Sequence, residues 1–342
     1  MTAFGTYNGK QVDCIRLHNG KLSCEILSYG ATLRSLRVPD LSGKPVDVVL
    51  GFDTLEDYAK QDSYIGATVG PNANRIGGAA LPLGKRQLKL DRNEGENNLH
   101  SGFEGFDRQI WEIMAASEEA VTLICTHPNG RGGFPGDLNA AVTYWLEGNA
   151  LLIDYYAISQ RDTICNLTNH SYFNLDGHDS GSIENHRVQL FAKSFTPIDA
   201  QSIPTGAIRA VSGSAMDLTK PVCLSDRMDG AEEQLRLAKG FDHNYVIDAG
   251  VEPFRAAAKV WGAKLGIVMT VYTDRPGVQF YTGNFLPEGL RGKDGAVYHR
   301  RQGLCLETQA FPDAPNHSSF PPTVLRAEKE WQSRTVYQFS LE

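Results

Sequence analysis

The sequence predicts an all-β fold, a sandwich or a barrel, from three observations. Apolar, β-branched and aromatic runs of strand length recur along the chain, clusters of Gly, Asp and Asn separate them, and helical patterns are scarce. Residues 138–159 show this most clearly, because two strand-like runs flank a turn at residues 147–150. Aromatic and β-branched residues fit a half-buried pleated surface, and Gly148-Asn149 supplies the positive φ of a tight turn.

Further strands are predicted along most of the chain. A second hairpin is expected over residues 81–90. Single strands are expected at 11–17, 21–27, 31–38, 109–115, 120–126, 186–193, 265–273, 277–282, 303–308 and 335–339. Two short helices are expected at 54–61 and 231–239, and Gly240 is a common stop signal after the second.

Composition limits the classes of function. The chain has 342 residues, with 33 Lys and Arg against 40 Asp and Glu, which gives a net charge of −7. A nucleic-acid partner is not expected, because it requires a basic stripe. The first residues lack a basic segment followed by an apolar run, and no apolar stretch approaches the ~18–20 residues that span a bilayer. We therefore expect neither a signal peptide nor a membrane partner.

The cysteines indicate a reducing compartment. Six cysteines, at positions 14, 24, 125, 165, 223 and 305, contain no C-x-x-C pair. Cys125 and Cys305 lie inside apolar runs, so we expect reduced, buried thiols that act as small hydrophobic side chains. Reduced thiols fit a cytoplasmic protein, and a disulfide framework is not expected in so long a chain.

Several common catalytic signatures are absent from the sequence. It contains no G-x-S-x-G nucleophile elbow, no phosphate-binding P-loop and no dinucleotide-binding G-x-G-x-x-G. None of the nine histidines forms an H-x-x-x-H pair. Nothing in the pattern therefore requires a metal.

Polar groups instead interrupt the strand-like sequence at several places. The richest is residues 166–175, where three asparagines, two hydroxyl side chains and His170 occur within nine positions. A strand buried for stability alone alternates apolar and polar residues, whereas this composition suits a cavity that holds many hydroxyls, as a sugar presents. The alternative is a loop in which Asn and Ser only turn the backbone. Similar groups surround Asn74, Arg75, His100, Asp242, Gln279 and Glu307.

Glu307 is the sharpest of these candidates, because a carboxylate beside a buried apolar run is costly unless it is paired or functional. Its structural alternative is an ion pair, with Arg75 as a candidate partner. Arg75 and Asp242 can equally pair with each other. For His100 the alternative is a polar turn, and for Gln279 it is an isolated, solvated strand residue.

Together these segments resemble the aldose 1-epimerase, or galactose mutarotase, family. The matching segments keep the family's order along the chain, at 73–76, 98–100, 134–137, 166–175, 242–244, 277–284 and 306–309. The resemblance implies one domain over residues 1–342, a large antiparallel β-sandwich with few short helices and an open sugar cleft. It implies that His170 is the general acid and Glu307 the general base. The substrate-binding residues that it implies are Asn74, Arg75, His100, Tyr172, Asp242 and Gln279.

Two positions depart from the family's pattern. Residues 129–134 read Asn-Gly-Arg-Gly-Gly-Phe, where the family often has two glutamates before a Tyr-Pro-Gly-Asp turn. Ser101 stands where a glycine is usual after the histidine. Neither departure touches the proposed acid or base, but both bear on the rim of the cleft, so the preferred sugar stays open.

The reaction that the resemblance implies interconverts the α- and β-anomers of a free aldose of the galactose or glucose type by opening and reclosing the ring. One carboxylate and one imidazolium suffice, so no cofactor and no metal are expected. Glu307 must be ionised and His170 protonated in the starting complex. A nearby carboxylate such as Asp242 is expected to raise the pKa of His170.

Three alternatives stay open at this point. A glycoside hydrolase could use Asp242 and Glu307, provided that the two carboxyl groups lie ~5–9.5 Å apart. A sugar-phosphate epimerase needs several cationic side chains, whereas the matched segments offer only Arg75. A non-catalytic carbohydrate-binding module would have lost the acid or the base. The expected partner is a small monosaccharide, and the sequence does not distinguish a monomer from a dimer.

Overall fold

The structure is a computed structural model that describes residues 1–250 and 252–342. Its strands in the first part of the chain are β1 (Thr2–Tyr7), β2 (Lys10–His18), β3 (Ser23–Leu27), β4 (Thr32–Pro39), β5 (Pro45–Asp47), β6 (Thr68–Val69), β7 (Arg75–Ile76), β8 (Ala80–Leu83), β9 (Arg86–Lys89), β10 (Asn98–Leu99), β11 (Glu112–Ala116), β12 (Ala120–His127), β13 (Leu138–Glu147), β14 (Ala150–Ser159), β15 (Thr163–Ile164) and β16 (Thr168–Asn169). Its later strands are β17 (Arg187–Leu190), β18 (Ser194–Phe195), β19 (Arg209–Ala210), β20 (Val222–Cys223), β21 (Asp242–Val246), β22 (Arg255–Trp261), β23 (Ile267–Thr273), β24 (Gly277–Tyr281), β25 (Leu290–Arg291), β26 (Val297–Tyr298), β27 (Cys305–Gln309), β28 (Val324–Leu325) and β29 (Glu330–Leu341). The α-helices among the described residues are α1 (Leu55–Lys60) and α2 (Glu233–Ala238), and the other helical segments are short 3₁₀ turns.

A nine-stranded antiparallel sheet forms one layer, in the order β11-β12-β13-β14-β29-β23-β22-β17-β20. The β13–β14 hairpin pairs over its whole length, and Gly148 adopts a φ of 58° at its turn. The last strand, β29, lies between β14 and β23. The end of the chain therefore joins the two halves of this sheet.

Two five-stranded antiparallel sheets pack against this layer. Their orders are β1-β2-β3-β4-β5 and β19-β18-β21-β24-β27. Because side chains alternate between the faces of a strand, each sheet turns one apolar face inward. Leu33, Tyr144, Leu151 and Phe280, which come from all three sheets, belong to one buried hydrophobic cluster. This arrangement confirms the predicted antiparallel β-sandwich.

The predicted strands and hairpins all overlap observed ones, including β8–β9 at residues 81–90. Among the strands of four or more residues, the sequence patterns did not indicate β1, β21 or β22. In β22 the run Ala256–Ala258 has low β propensity, and sheet context between β17 and β23 overrides it. The polar start of β21 at Asp242 obscured the strand, because that side chain faces a cleft and not the core.

Both predicted helices are present and short. The hydroxyl of Thr54 caps α1 by accepting a hydrogen bond from the Asp57 amide at 3.2 Å. Helix α2 ends where Lys239 adopts a left-handed φ of 57°, one residue before the predicted stop at Gly240. In the described part of the chain, no helix has the length and apolar character needed to cross a bilayer.

Candidate active site

A cleft of about 620 Å³ collects residues that are far apart in the sequence. Seven of the eight predicted site residues line it. These seven are Asn74, Arg75, His100, His170, Tyr172, Asp242 and Glu307. The eighth, Gln279, lies outside the lining and contacts it through Asp242.

Sheet register places the two carboxylates of this cleft. Strands β21, β24 and β27 are neighbours, with Gln279 opposite both Asn244 and Glu307. Glu307 lies in the middle of β27, and Asp242 begins β21 opposite Tyr281. The other side of the cleft comes from β7 and the segments that follow β10 and β16, which carry Arg75, His100 and His170.

The imidazole of His170 faces the carboxylate of Glu307. Its Nε2 lies 3.7 Å from Glu307 Oε1, and the two side chains are only 6% and 3% exposed. This separation is too long for a direct hydrogen bond. The other oxygen, Oε2, has no hydrogen-bond partner among the described residues. Both side chains can therefore still form hydrogen bonds with a small polar ligand in the cleft.

The ion pair between Glu307 and Arg75 is not formed. Within the described ranges, neither an Arg nor a Lys lies within ion-pair distance of Glu307. Arg75 instead makes a two-pronged contact with Glu94, with Nε–Oε2 and Nη2–Oε1 distances of 2.7 Å. Its remaining nitrogen, Nη1, lies 3.7 Å from Asp242 Oδ2. Burial opposes the charge of Arg75, but Asp242 and Glu94 hold its pKa above the usual value.

Burial shifts the pKa values of His170 and Glu307 in opposite directions. Loss of hydration lowers the pKa of His170 to about 4. Loss of hydration, reinforced by the charge of Asp242, raises the pKa of Glu307 well above its usual value, although Arg75 opposes the shift. Asp242 does not raise the pKa of His170, so that expectation is wrong. Burial thus favours the uncharged form of each group, a protonated carboxyl group and a neutral imidazole.

His100 is oriented by the backbone of its neighbour across the β7–β10 pair. The amide of Asn74 donates a hydrogen bond to His100 Nδ1 at 3.1 Å. Burial, with contributions from His170 and Arg75, holds the pKa of His100 well below its usual value, so the ring is neutral. With Nδ1 acting as the acceptor, the proton of the neutral ring resides on Nε2. His100 thus presents an N–H donor to the cleft.

The same hydrogen bond bears on metal binding. The ligand atoms of His100, His170 and Glu307 all lie within 4.8 Å of one another, a spacing that suits a metal ion. A metal would bind His100 through an unprotonated nitrogen, yet the Asn74 amide already occupies Nδ1 and leaves the proton on Nε2. This donor set therefore fits a sugar hydroxyl better than a metal.

Tyr172 and Gln279 have different contacts from those expected of residues that hold sugar hydroxyls. The hydroxyl of Tyr172 donates to the Ser63 carbonyl at 3.0 Å, and its ring packs 5.1 Å from the His170 ring. The amide of Gln279 donates to Asp242 Oδ1 at 2.6 Å, and Gln279 is 3% exposed. Both residues are therefore placed to orient the groups that face the cleft.

Sequence reasoning missed three residues of this site. Tyr64 stacks on the His170 ring at 5.9 Å, and its ring also lies 4.5 Å from that of His100. Phe285 is 49% exposed at the cleft and stacks on Tyr281 at 6.4 Å. Glu94 anchors Arg75. Their sequence context is that of ordinary loop residues, and only the Glu94-Gly95-Glu96-Asn97 run resembles the polar segments that were singled out.

The two departures from the family's pattern lie together behind the cleft. The hydroxyl of Ser101 accepts from the Asn72 amide at 2.8 Å and donates to the Asn72 carbonyl at 3.1 Å. Gly132 lies so close to Ser101 that a Cβ there would be 3.1 Å from its carbonyl oxygen. Neither Ser101 nor any of residues 129–134 lines the cleft. Through Ser101, both departures contact Asn72, two residues before Asn74 in the cleft.

Comparisons with known proteins agree with this geometry. The sequence model of the aldose 1-epimerase family matches residues 13–338. Galactose mutarotase of Mus musculus is 43% identical, over 99% of this chain and 98% of the relative. Aldose 1-epimerase of Escherichia coli K12 is 35% identical, over 95% of this chain and 94% of the relative.

Solved structures give the same result. The aldose epimerase homologue from C. elegans superposes with a TM-score of 0.90 and 33% identity, and covers 96% of this chain and 99% of its own. Galactose 1-epimerase from Lactobacillus acidophilus superposes with a TM-score of 0.87 and 26% identity, and covers 99% of this chain and 98% of its own. The chain therefore belongs to the aldose 1-epimerase family, and it is an isomerase of the mutarotase type.

Proposed function

We propose that this protein interconverts the α- and β-anomers of a free aldose of the galactose or glucose type, with His170 and Glu307 as the acid–base pair. The observation that carries the proposal is the 3.7 Å separation of His170 Nε2 and Glu307 Oε1 across a buried cleft. A hemiacetal presents one proton to abstract and one oxygen to protonate. Two facing groups of opposite function meet that demand without redox chemistry.

The reaction requires two proton transfers. Glu307 as carboxylate accepts the proton of the C1 hydroxyl, while His170 as imidazolium gives a proton to the ring oxygen, and the C1–O5 bond breaks. The resulting aldehyde rotates about C1–C2. The ring oxygen then attacks the other face of C1, its proton returns to His170, and Glu307 returns a proton to the new C1 hydroxyl.

The proton must first move from the carboxyl group to the imidazole. Burial favours protonated Glu307 and neutral His170, because it raises the pKa of Glu307 and lowers that of His170. The reactive form has the same number of protons, so sugar binding needs only to redistribute one proton and does not need to add or remove any. A sugar hydroxyl that donates to Glu307 Oε2, which is unpartnered among the described residues, stabilises the carboxylate form.

Other side chains hold the sugar in this proposal. His100 donates from Nε2, and Asn74, Arg75 and Asp242 supply further donors and acceptors around the cleft. Gln279 orients the Asp242 carboxylate through its hydrogen bond, and the Tyr172 ring packs beside the imidazole of His170.

The charges of the cleft support a neutral sugar as the substrate. Arg75 is the only Arg or Lys among the described residues that line it, and Glu94 and Asp242 already neutralise that cation. A phosphorylated sugar needs several free cationic groups. The sugar-phosphate alternative is therefore disfavoured.

The other two alternatives have distinct signatures. A glycoside hydrolase would release a reducing sugar from an aryl glycoside, and we expect no such release. A binding module without catalysis would bind galactose but leave the approach to anomeric equilibrium at its spontaneous rate. The presence of both His170 and Glu307 in one cleft favours the isomerase.

Two coarser properties belong to the same proposal. We propose that residues 1–342 form one domain, because the cleft collects residues from position 62 to position 307. We propose a cytoplasmic location, because all six cysteines are free and four of them are buried. The oligomeric state is left to measurement.

Polarimetry of freshly dissolved α-galactose and α-glucose tests the proposed function. We expect Glu307→Gln and His170→Asn each to lower kcat by about 10²–10⁴-fold, the usual contribution of a positioned acid or base. Glu118→Gln and His18→Asn make the same chemical changes at exposed positions and should keep the parent rate. A Glu307→Gln protein that equilibrates galactose at the parent rate would refute the assignment. Initial rates with galactose, glucose, xylose and arabinose would then establish the preferred sugar.

A further inference from the structure

The catalytic histidine has a partner on the side that faces away from Glu307. Cys305 Sγ lies 3.6 Å from His170 Nδ1, within hydrogen-bond distance for sulfur. Cys305 is fully buried. Cys305 and Glu307 are two positions apart on β27, so both side chains point to the same face of the strand. The imidazole therefore lies between a thiol at Nδ1 and a carboxylate at Nε2.

No charged group in the described residues competes for Nδ1. Tyr64, Tyr172 and Tyr281 pack against the His170 ring, and His100 meets it edge-on with ring centres 5.3 Å apart. Glu307 faces Nε2. The thiol is the hydrogen-bond partner that the structure gives to Nδ1.

The thiol is present as S–H and not as thiolate. Burial, reinforced by the charges of Glu307 and Asp242, raises the pKa of Cys305 well above its usual value. A neutral thiol is both a weak donor and a weak acceptor, so it can adapt to either state of the imidazole. A carboxylate in this position could only accept, and it would hold the ring as an imidazolium.

We propose that Cys305 is a positioning residue that accepts a hydrogen bond from Nδ1–H of His170, so that the proton His170 transfers is the one on Nε2, the nitrogen that faces the sugar. In the imidazolium both ring nitrogens are protonated, and Nδ1–H donates to sulfur. After Nε2 has given its proton to the ring oxygen, the neutral ring keeps its Nδ1–H on sulfur, so Nε2 is free to take the proton back and the ring keeps its orientation through the catalytic cycle. The proposal rests on the proposed role of His170 as the acid.

A thiol at Nδ1 of His170 suits the transfer of a proton to the ring oxygen of a sugar. The ring oxygen of a sugar is weakly basic, so it needs a strong acid beside it. A buried histidine whose Nδ1 faces a thiol and not a carboxylate is such an acid, since its charged form is stabilised less. Partners of this kind fix the tautomer and ring orientation of functional histidines in other sites, notably metal sites.

Nuclear magnetic resonance of protein labelled with ¹⁵N in histidine tests the tautomer. Long-range ¹H–¹⁵N correlations distinguish a protonated from an unprotonated ring nitrogen, and His170→Asn identifies the His170 signals by their disappearance. We expect a protonated Nδ1 and an unprotonated Nε2 in the neutral ring of the parent and of Cys305→Ser. In Cys305→Ala we expect a mixture of the two tautomers. An unchanged Nε2 signal in Cys305→Ala would overturn the proposal.

Kinetics give the second readout. Cys305→Ala should lower kcat by about three- to tenfold with little change in KM, the size expected for one hydrogen bond, and Cys305→Ser should recover most of the loss. Cys24→Ala removes an equally buried thiol far from the cleft and controls for lost packing. Equal losses in Cys305→Ala and Cys305→Ser would reduce Cys305 to a packing role.

The proposed function and this inference can fail separately. If His170→Asn keeps the parent rate, His170 is not the acid and the proposed function fails regardless of Cys305. If His170→Asn is inactive while Cys305→Ala matches the parent in rate and tautomer, only the role of Cys305 is refuted.

Discussion

At the scale of the residue, burial sets the protonation of the proposed acid–base pair. Water is excluded from His170 and Glu307, so each is driven towards its uncharged form. The pKa of Glu307 is raised and that of His170 is lowered, so burial favours a pair that holds one proton. The proposed reaction uses that proton. The sequence led us to expect an ionised Glu307 and a protonated His170 in the starting complex with the sugar. Burial, which the residue types alone do not reveal, favours the opposite placement of the proton in the protein itself, so sugar binding has to move it.

The pH dependence of kcat/KM follows from the proton count. The pair is active with one proton, so activity should fall below pH 4, where His170 with its pKa of about 4 takes up a second. It should also fall at alkaline pH, where Glu307, whose pKa is raised, loses the shared proton. We predict a bell-shaped profile with a wide plateau. Initial mutarotation rates from pH 3.5 to 10 measure it, and an acid limb near pH 6.5 would contradict the burial argument.

A second buried carboxyl makes stability depend on pH. Burial raises the pKa of Asp107 to about 7, although Arg108 opposes the shift. Its Oδ1 has no hydrogen-bond partner among the described residues. Because the folded pKa lies above the unfolded value, Asp107 costs increasing stability as pH rises from about 4 to 7, and the cost is constant above that. Three units correspond to about 4 kcal/mol as an upper bound.

Asp107→Asn removes this cost. We expect the variant to gain stability relative to the parent as pH rises from 4 to 7, with a constant difference above pH 7. Urea unfolding at several pH values measures the free energy, and Asp226→Asn, at an exposed position, should show no such trend. A difference that is the same at pH 4 and pH 8 would show that Asp107 is ionised throughout.

At the scale of the element, sheet register decides which predicted residues meet. Gln279 reaches Asp242 because β24 lies between β21 and β27 in the sheet. The sequence identified the segments that carry the site, since Asn, His and carboxylate residues stood out in strand-like surroundings. It did not indicate Glu94, Tyr64 or Cys305. Glu94 and Tyr64 come from loops, and Cys305 was interpreted as a small hydrophobic residue because its contact with His170 is tertiary.

The segment Glu94–Asn97 at the cleft rim holds Arg75 in place. The backbones of Glu94 and Asn97 bond to each other, and the Glu94 carboxylate holds the Arg75 guanidinium through two hydrogen bonds of 2.7 Å. A bidentate pair of this kind fixes the orientation as well as the position of the guanidinium. Arg75 can then direct Nη1 towards Asp242, which itself receives a hydrogen bond from Gln279.

Glu94→Gln should therefore weaken sugar binding more than it slows the chemistry. We predict that the KM for galactose rises roughly tenfold and that kcat falls by less. Tenfold is the lower end of the usual loss when a partner that orients a binding group is removed. Glu118→Gln removes the same charge from an exposed position outside the cleft and serves as the matched control. An unchanged KM in Glu94→Gln would mean that Arg75 is held by Asp242 alone.

At the scale of the whole molecule, the cleft depends on the complete sandwich. One buried cluster extends from Ile15 to Phe339 and includes residues of all three large sheets. The last strand, β29, joins the two parts of the nine-stranded sheet. The sequence predicted the all-β class and most strands of four or more residues, because alternation and turns are local signals. It did not predict β22, whose alanines become a strand only through its neighbours β17 and β23.

A single domain should unfold as a unit. We predict one calorimetric transition, detected together by far-ultraviolet circular dichroism and by the fluorescence of the four tryptophans. Saturating galactose should move the whole transition to higher temperature, because it binds only the folded state. Two separated transitions, of which galactose moves only one, would show that the chain contains more than one domain.

The central claim is that His170 and Glu307 act together on one sugar. A double-mutant cycle of kcat for galactose mutarotation tests it most directly. If the two groups serve the same proton transfers, the double variant Glu307→Gln/His170→Asn should lose no more activity than the worse single variant, because groups that act as a unit are not additive. Losses that multiply in the double variant would show that the two side chains act independently, and would contradict the account.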